Sequence, residues 1–491
     1  MNPLGELILV LDAGTTSTRA MAFDRQGALR AIAQRELTQH YPKPGWVEHD
    51  AAEIWDATLA VAREVVTQAG GADRIACIGI TNQRETVVAW DRESGDPLAH
   101  AIVWQDRRTA DACAALREAG HEPVVQEKTG LLLDPYFSAT KMRWLLDDVP
   151  DVRAAADAGR LALGTVESWL IFKLTGAHLS DAANASRTSL LPLTGSAWDE
   201  GLCDLFGVPR VALPDVVDNA GTFGATLPDL FGAAIPLTGL AGDQQSATIG
   251  QGCLSRGETK ATFGTGAFVL TNMAEALPRS EHRLVGTVLY QLAGKRIYAL
   301  EGSVFVAGSL IKWLRDSLGM IVTAAESEAL ARSVPDSGGV VIVPALSGLG
   351  APHWRPDARA SFTGMTFATT RAHIVRAALE AMALQTHDLA EAFAGDGARW
   401  AALRIDGGMS ANDWIAQDLA DILALPVARP DFVETTALGA AMLAGVGAGL
   451  FGSLEEAFAA MRGPDRNFTP ALADEQRVER LDLWRKALAA V

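Results

Sequence analysis

The chain has 491 residues, more than one hydrophobic core usually serves, so two or more domains are expected. Hydrophobic residues make up 49% and charged residues 21%, the balance of an ordinary globular enzyme. A net charge of −17 disfavours nucleic acid and anionic membrane surfaces as partners, although it leaves room for a local basic pocket.

The first apolar run, "LILVLD" (residues 7–12), predicts a strand buried on both faces, and "TTSTRAMAFD" predicts a turn into a second strand. The run is too short for a signal peptide, and no stretch reaches the ~18 apolar residues of a membrane span. Helical spacing predicts a helix over 51–69. "RIACIGI" and "TVVAWD" predict strands at 74–80 and 86–91, and 107–120 predicts a helix closed by Gly120. This alternation is α/β grammar. It restarts after a boundary placed near residue 252. "GETKATFGTGAFVLTN" (257–272) predicts strand, Gly-rich turn and strand, and "LRIDGGMSANDWIAQDLADIL" (403–423) predicts strand, Asp-Gly-Gly turn and helix. The domains are expected at 1–252 and 253–491, closely packed, because no Pro/Ser linker separates them.

"TNQRET" (81–86) lies between two of these strands without the usual turn residues. It carries Asn82, Gln83, Arg84 and Glu85, and a buried charge pair costs several kcal/mol per ion unless satisfied. Cys77, Cys113, Cys203 and Cys253 form no zinc-type cluster, and so few cysteines in a long chain suit a reducing cytosol. No Walker A sequence occurs, and the lone G-x-G-x-x-G match, "GAGLFG" from Gly447, follows a helix-like run and is expected to be a helix C-terminus.

Three other glycine turns fit phosphate better. "LDAGTTSTR" offers Gly14, Thr15, Thr16, Ser17 and Arg19 after Asp12, a carboxylate able to hold Mg²⁺ through water. "TFGTGAF" offers Gly264, Thr265 and Gly266, and "DGGMSAN" offers Gly407 and Gly408. Together they point to a nucleotide in an interdomain cleft. The corresponding architecture is two ribonuclease-H-like α/β domains of the actin, sugar kinase and chaperone type.

Over essentially its whole length the chain resembles the FGGY carbohydrate kinases, and among them the branch that phosphorylates glycerol. The strings "YPKPGWVEHD", "GITNQRET", "AIVWQDRRT", "DPYFSATK", "NASRT", "GDQQSA", "ALEGSVFVAG" and "GLGAPHW" carry that likeness. The resemblance implies ATP-dependent conversion of glycerol to sn-glycerol 3-phosphate, with Mg²⁺, by a cytoplasmic homodimer or homotetramer. Arg84, Glu85, Tyr136 and Asp243 would then bind glycerol hydroxyls, between Trp104 and Phe268. Asp243 would be the general base, with Gln244 and Gln245 helping to orient substrate or water. Thr15, Thr16, Ser17, Arg19, Thr265, Gly308, Lys312, Gly408 and Asn412 would line the nucleotide path, with Glu301 and Gly302 near it by analogy.

The sequence departs from the family in three places. Ala13 replaces the usual Gln after the first Asp, and Lys312 replaces a Gln facing the nucleotide. "PDLFGAAIPLTG" lacks the Arg of the loop that binds fructose 1,6-bisphosphate in regulated relatives. The alternatives are a kinase for erythritol, dihydroxyacetone or another short polyol or ketose, and a catalytically idle sugar sensor.

Overall fold

The computed structural model describes residues 5–355 and 357–491. Its first half is built on β1 (Leu7–Ala13), β2 (Ser17–Phe23), β3 (Leu29–Glu36), β4 (Ile75–Asn82), β5 (Val87–Asp91) and β6 (Leu237–Gly242). All but β5 join one sheet, in the order β6–β4–β1–β2–β3. β1, β4 and β6 run parallel, β2 pairs antiparallel with β1, and β3 pairs antiparallel with β2. The apolar runs explain this placement, since β1, β4 and β6 are buried along their whole length as strands covered on both faces must be.

The second half repeats the plan with β7 (Thr259–Phe263), β8 (Ala267–Ala274), β9 (Val285–Leu292), β10 (Lys295–Val304), β11 (Leu403–Asp406), β12 (Val427–Pro430) and β13 (Asp465–Phe468). The order is β9–β10–β8–β7–β11–β12–β13. Again a hairpin, β7–β8, closes through a glycine turn, and a parallel strand, β11, lies beside its first arm.

The helices that bear on the site are α1 (Ala51–Gln68), α2 (Asp243–Gly250), α3 (Gly308–Asp316), α4 (Arg371–Gly395), α5 (Asp413–Leu423) and α6 (Thr435–Gly447). Asp50 caps α1 by accepting from the Ala52 amide, as the acidic start of that helix predicts. Helix α6 ends at Gly447, so "GAGLFG" is a helix terminus as expected.

α2 and α6 lie backbone to backbone. A Cβ on Gly439 would fall 1.9 Å from the Ser246 carbonyl, so only glycine permits that approach. One core cluster accordingly joins Ile8 and Val10 of β1, Leu270 of β8 and Leu438 and Ala441 of α6. The two sheets thus share buried surface.

Two local differences from the sequence reading have physical causes. The helix predicted from residue 107 begins at Ala110. Arg108 is held out of it by ion pairs to Asp106 and Glu48 and by the faces of Trp46 and Trp144. "TNQRET" is only partly a turn, since β4 runs through Asn82 and every residue from Thr81 to Thr86 is buried.

Candidate active site

The connection after β4 is buried, and the side chains of Asn82, Gln83, Arg84, Glu85 and Thr86 find their partners within the protein. Asn82 and Asn184 exchange side-chain amide hydrogen bonds. The Gln83 side chain donates to the Gly14 carbonyl, tying this segment to the first glycine turn. Glu85 adopts a left-handed φ of 59°, unusual for a non-glycine residue, and its carbonyl accepts from Ser138.

Arg84 faces Glu301 of β10. Its two terminal nitrogens donate to the two carboxylate oxygens at 2.6 and 2.9 Å. Arg187 completes the arrangement, donating to Glu301 at 2.9 Å and to Glu85 at 2.6 Å. Two guanidinium groups and two carboxylates thus alternate, none of the four residues more than 2% exposed. Burial alone would raise the Glu301 pKa, but Arg187 and Arg84 outweigh it and hold the carboxyl at about 2.

The other side of Arg84 meets the remaining polyol candidates. Its Nη2 donates to the Tyr136 hydroxyl at 3.2 Å, and its Nε lies 3.5 Å from the Asp243 carboxylate. Gly242 makes this approach possible, since a Cβ there would fall 2.7 Å from Arg84 Cγ. Asp243 is the first residue of α2 and accepts from the Gln244 amide at 2.7 Å. Its side chain remains 31% open to solvent. Burial nevertheless pushes its pKa up to about 6, against the pull of Arg84. Trp104 stands edge-on to Tyr136 and Phe268, with ring centroids 5.7 and 6.1 Å away. Its indole nitrogen donates to Thr15, linking this apolar wall to the first glycine turn.

Several residues sit differently from expectation. Glu301, expected near the nucleotide cleft, lies among the buried ion pairs instead, because it is the carboxylate that neutralises Arg84 and Arg187. Gly302 faces α4, where an added Cβ would meet Leu389 at 2.7 Å. Gln245 is wholly buried, accepting from Arg84 and donating toward Thr287 and Val288. Arg187 and Lys260 escaped the sequence reading. Arg187 lies in "NASRT" and Lys260 in a predicted strand, and nothing local names the groups they meet, Glu85 and Glu301 for the first and Gln244 for the second.

The glycine turns form the second part of the site. In the first, the Gly14 amide donates to the Ser17 carbonyl, and Thr16 is exposed. Arg19 is already committed, to Asp12 through Oδ2 and to Glu434. Asp12 is buried, and desolvation raises its pKa against the opposing charge of Arg19. In the second, the Thr265 carbonyl accepts from Ala307 and Ser309, and the Gly308 amide donates to Gly264, so α3 begins on the turn. The Thr265 side chain and Lys312, one turn along α3, are exposed. In the third, Gly407 has φ +86° and packs on the Phe263 backbone, whereas a Cβ on Gly408 would meet nothing within 4 Å. The Asn412 side-chain oxygen, Oδ1, caps α5 by accepting from the Trp414 and Ile415 amides.

Adjacent residues join the turns, because Glu434 holds Arg19 while Thr435 donates to Asp406 at 2.6 Å. Among the described residues no group of three or more His, Cys, Asp or Glu side chains is arranged to hold a metal, and no helix is long and apolar enough to cross a membrane.

Residues 7–250 match the N-terminal domain, and residues 259–448 the C-terminal domain, of the FGGY family of carbohydrate kinases. A glycerol kinase of Alcanivorax borkumensis is 55% identical over 99% of this chain and 98% of its own. One of Rhodospirillum rubrum is 53% identical over the same shares. Among solved structures, Plasmodium falciparum glycerol kinase with ADP superposes with a TM-score of 0.92 at 37% identity, covering 99% of this chain and 98% of that one.

Proposed function

From the premise that the chain belongs to the FGGY family of carbohydrate kinases, we infer that it transfers the γ-phosphoryl group of ATP to a primary hydroxyl of glycerol, giving sn-glycerol 3-phosphate. The observation that carries this reading is the buried Arg84–Glu301–Arg187–Glu85 clamp with Asp243 beside it. A three-carbon polyol offers three hydroxyls, each a donor and an acceptor. Arg84 supplies donors, Glu85 and Asp243 supply acceptors, and Tyr136 serves as either. Trp104 and Phe268 provide the apolar wall against the carbon chain.

Asp243 accepts the proton. The substrate oxygen forms a bond to the γ-phosphorus as the bond from that phosphorus to the bridging oxygen breaks, and its electron pair leaves with ADP. The hydroxyl proton passes to the Asp243 carboxylate. A partly desolvated carboxylate is a stronger base than one in water, which suits it to this step.

Thr15, Thr16 and Arg19 meet the β- and γ-phosphates, and Ser17, Thr265, Gly308, Lys312, Gly408 and Asn412 line the rest of the nucleotide path. The absence of any atom near a Cβ on Gly408 supports this, since packing does not demand glycine there. Asp12 fits Mg²⁺ held through water, because Arg19 occupies only Oδ2 and leaves the second carboxylate oxygen. Such an ion would offset phosphate charge. We take 1–252 as the domain of the polyol site and first phosphate turn and 253–491 as the nucleotide domain, the five-stranded sheet lying before residue 252 and the seven-stranded sheet after it. The chain works in the cytosol as a homodimer or homotetramer on this reading, and its four cysteines are free and buried.

The test is ATP-dependent phosphorylation across C3 to C5 polyols and dihydroxyacetone. Glycerol should give the highest kcat/KM. A higher value for erythritol or dihydroxyacetone would move the assignment to another short polyol or ketose, and no turnover with any of them would leave a sensor.

A further inference from the structure

We propose that Lys260 is a positioning residue for phosphoryl transfer, its buried ammonium fastening Gln244, at the start of α2 and next in the chain to Asp243, to β7. The inference rests on the reading of Asp243 as the base.

Lys260 is fully buried on β7, the strand that leads into the Gly264–Gly266 turn. Lysine is almost never found in that state unless paired. Yet among the described residues it has no carboxylate within ion-pair distance. Its ammonium donates instead to two neutral groups, Gln244 Oε1 at 2.5 Å and Thr262 Oγ1 at 2.9 Å. The charges that compensate it stand further off on separate elements. They are Asp406 of β11, Asp243 of α2 and Glu301 of β10, with Arg84 of the β4–β5 connection opposing them. Burial brings its pKa down to about 8. Asp243 in turn faces Arg84, Glu85 and Lys260.

A lysine serving only the core would be expected to bury its charge directly against one of these carboxylates. Lys260 instead reaches the residue next to the base. Gln244 was a candidate substrate ligand, but its amide oxygen is occupied by Lys260, so its geometry is fixed by the strand rather than left to the polyol. The lysine also tilts the base. An ammonium near Asp243 favours the carboxylate over the acid, partly countering desolvation. Because β7 carries a phosphate turn and α2 carries the base, one contact sets the two reacting partners against each other.

The experiment uses the full chain and measures kcat and KM for glycerol between pH 5 and 8.5 at saturating ATP, with ADP binding by calorimetry as the check on folding. Lys260→Met should lower kcat tenfold or more, change glycerol KM less than threefold, and move the acid limb of kcat/KM upward by half a pH unit or more. Lys260→Arg, which keeps the charge, should return the limb toward wild type. Gln244→Leu cuts the same contact from the other side and leaves the charge, so it should lower kcat without moving the limb.

Unchanged kcat and an unmoved limb in folded Lys260→Met would make the lysine merely structural and overturn the proposal. Should that variant fail to bind ADP, wild-type kcat in Gln244→Leu would overturn it equally. A wild-type profile without an acid limb, together with an active Asp243→Asn, would instead overturn the reading of the base.

Discussion

The buried ion-pair clamp and the glycine turns use opposite chemistry. The clamp is made of long charged side chains that pair with one another before any substrate arrives. The turns are made of small residues and backbone amides, with Thr16, Thr265 and Lys312 exposed. A site of the first kind is part of the folded core, so changing it must disturb stability and function together. A site of the second kind sits at strand ends outside the core, so changing it should alter function while the fold stands.

The largest expected effect falls at Asp243, where clamp and cleft meet. Asp243→Asn should lower kcat by about 10² to 10⁴, the usual worth of a positioned base, while ADP still binds. The same variant should not lose stability. The folded-state pKa of Asp243 lies above its ordinary value of 3.8, so ionising it works against folding. That cost begins as pH rises above about 4 and is complete above about 6. With a third of the side chain open to solvent, its removal should gain about 1 kcal/mol at pH 7 and nothing at pH 4, read by chemical denaturation. A destabilised variant would move Asp243 into the structural half of the comparison.

Arg84→Ala should behave in the contrary manner. It leaves Glu301 with Arg187 alone and deprives Glu85 of a neighbour. Breaking a buried pair costs about 3–5 kcal/mol, visible as a lower denaturation midpoint together with a strongly raised glycerol KM. An unchanged midpoint with raised KM would mean that the clamp is not part of the core.

The turns should give smaller effects. A Cβ at Gly408 would meet no other part of the described residues within 4 Å and requires no left-handed backbone, so in Gly408→Ala stability should stay within about 0.5 kcal/mol while ATP KM rises several-fold. Loss of stability there would mean that the glycine serves packing after all. Gly407, at φ +86° against the Phe263 backbone, is the internal control: its alanine variant should destabilise the fold.

The contrast also explains what could be read in the chain. The strands were legible because continuous apolar runs leave few alternatives, and the glycine turns because small residues after such runs have one common purpose. "TNQRET" was legible as an anomaly, a charged segment between core strands. Its solution was not, because Arg187 and Glu301 stand about 100 and 200 residues further on, and nothing local marks them as its partners. The partners of Glu301 are hidden from the sequence for the same reason. The likeness of "ALEGS" to its family gave a neighbourhood, whereas the ion pairs give an address. Nor could the sequence tell Gly407, which packing requires, from Gly408 beside it, which faces open space.

The pH dependence of wild-type kcat/KM for glycerol most directly tests whether a partly desolvated Asp243 receives the proton in this clamp. The base must be ionised to act, and desolvation holds its pKa up to about 6. The account predicts a plateau at neutral pH and a fall toward tenfold per unit as pH drops through about 6. A profile that stays flat down to pH 5 would contradict it.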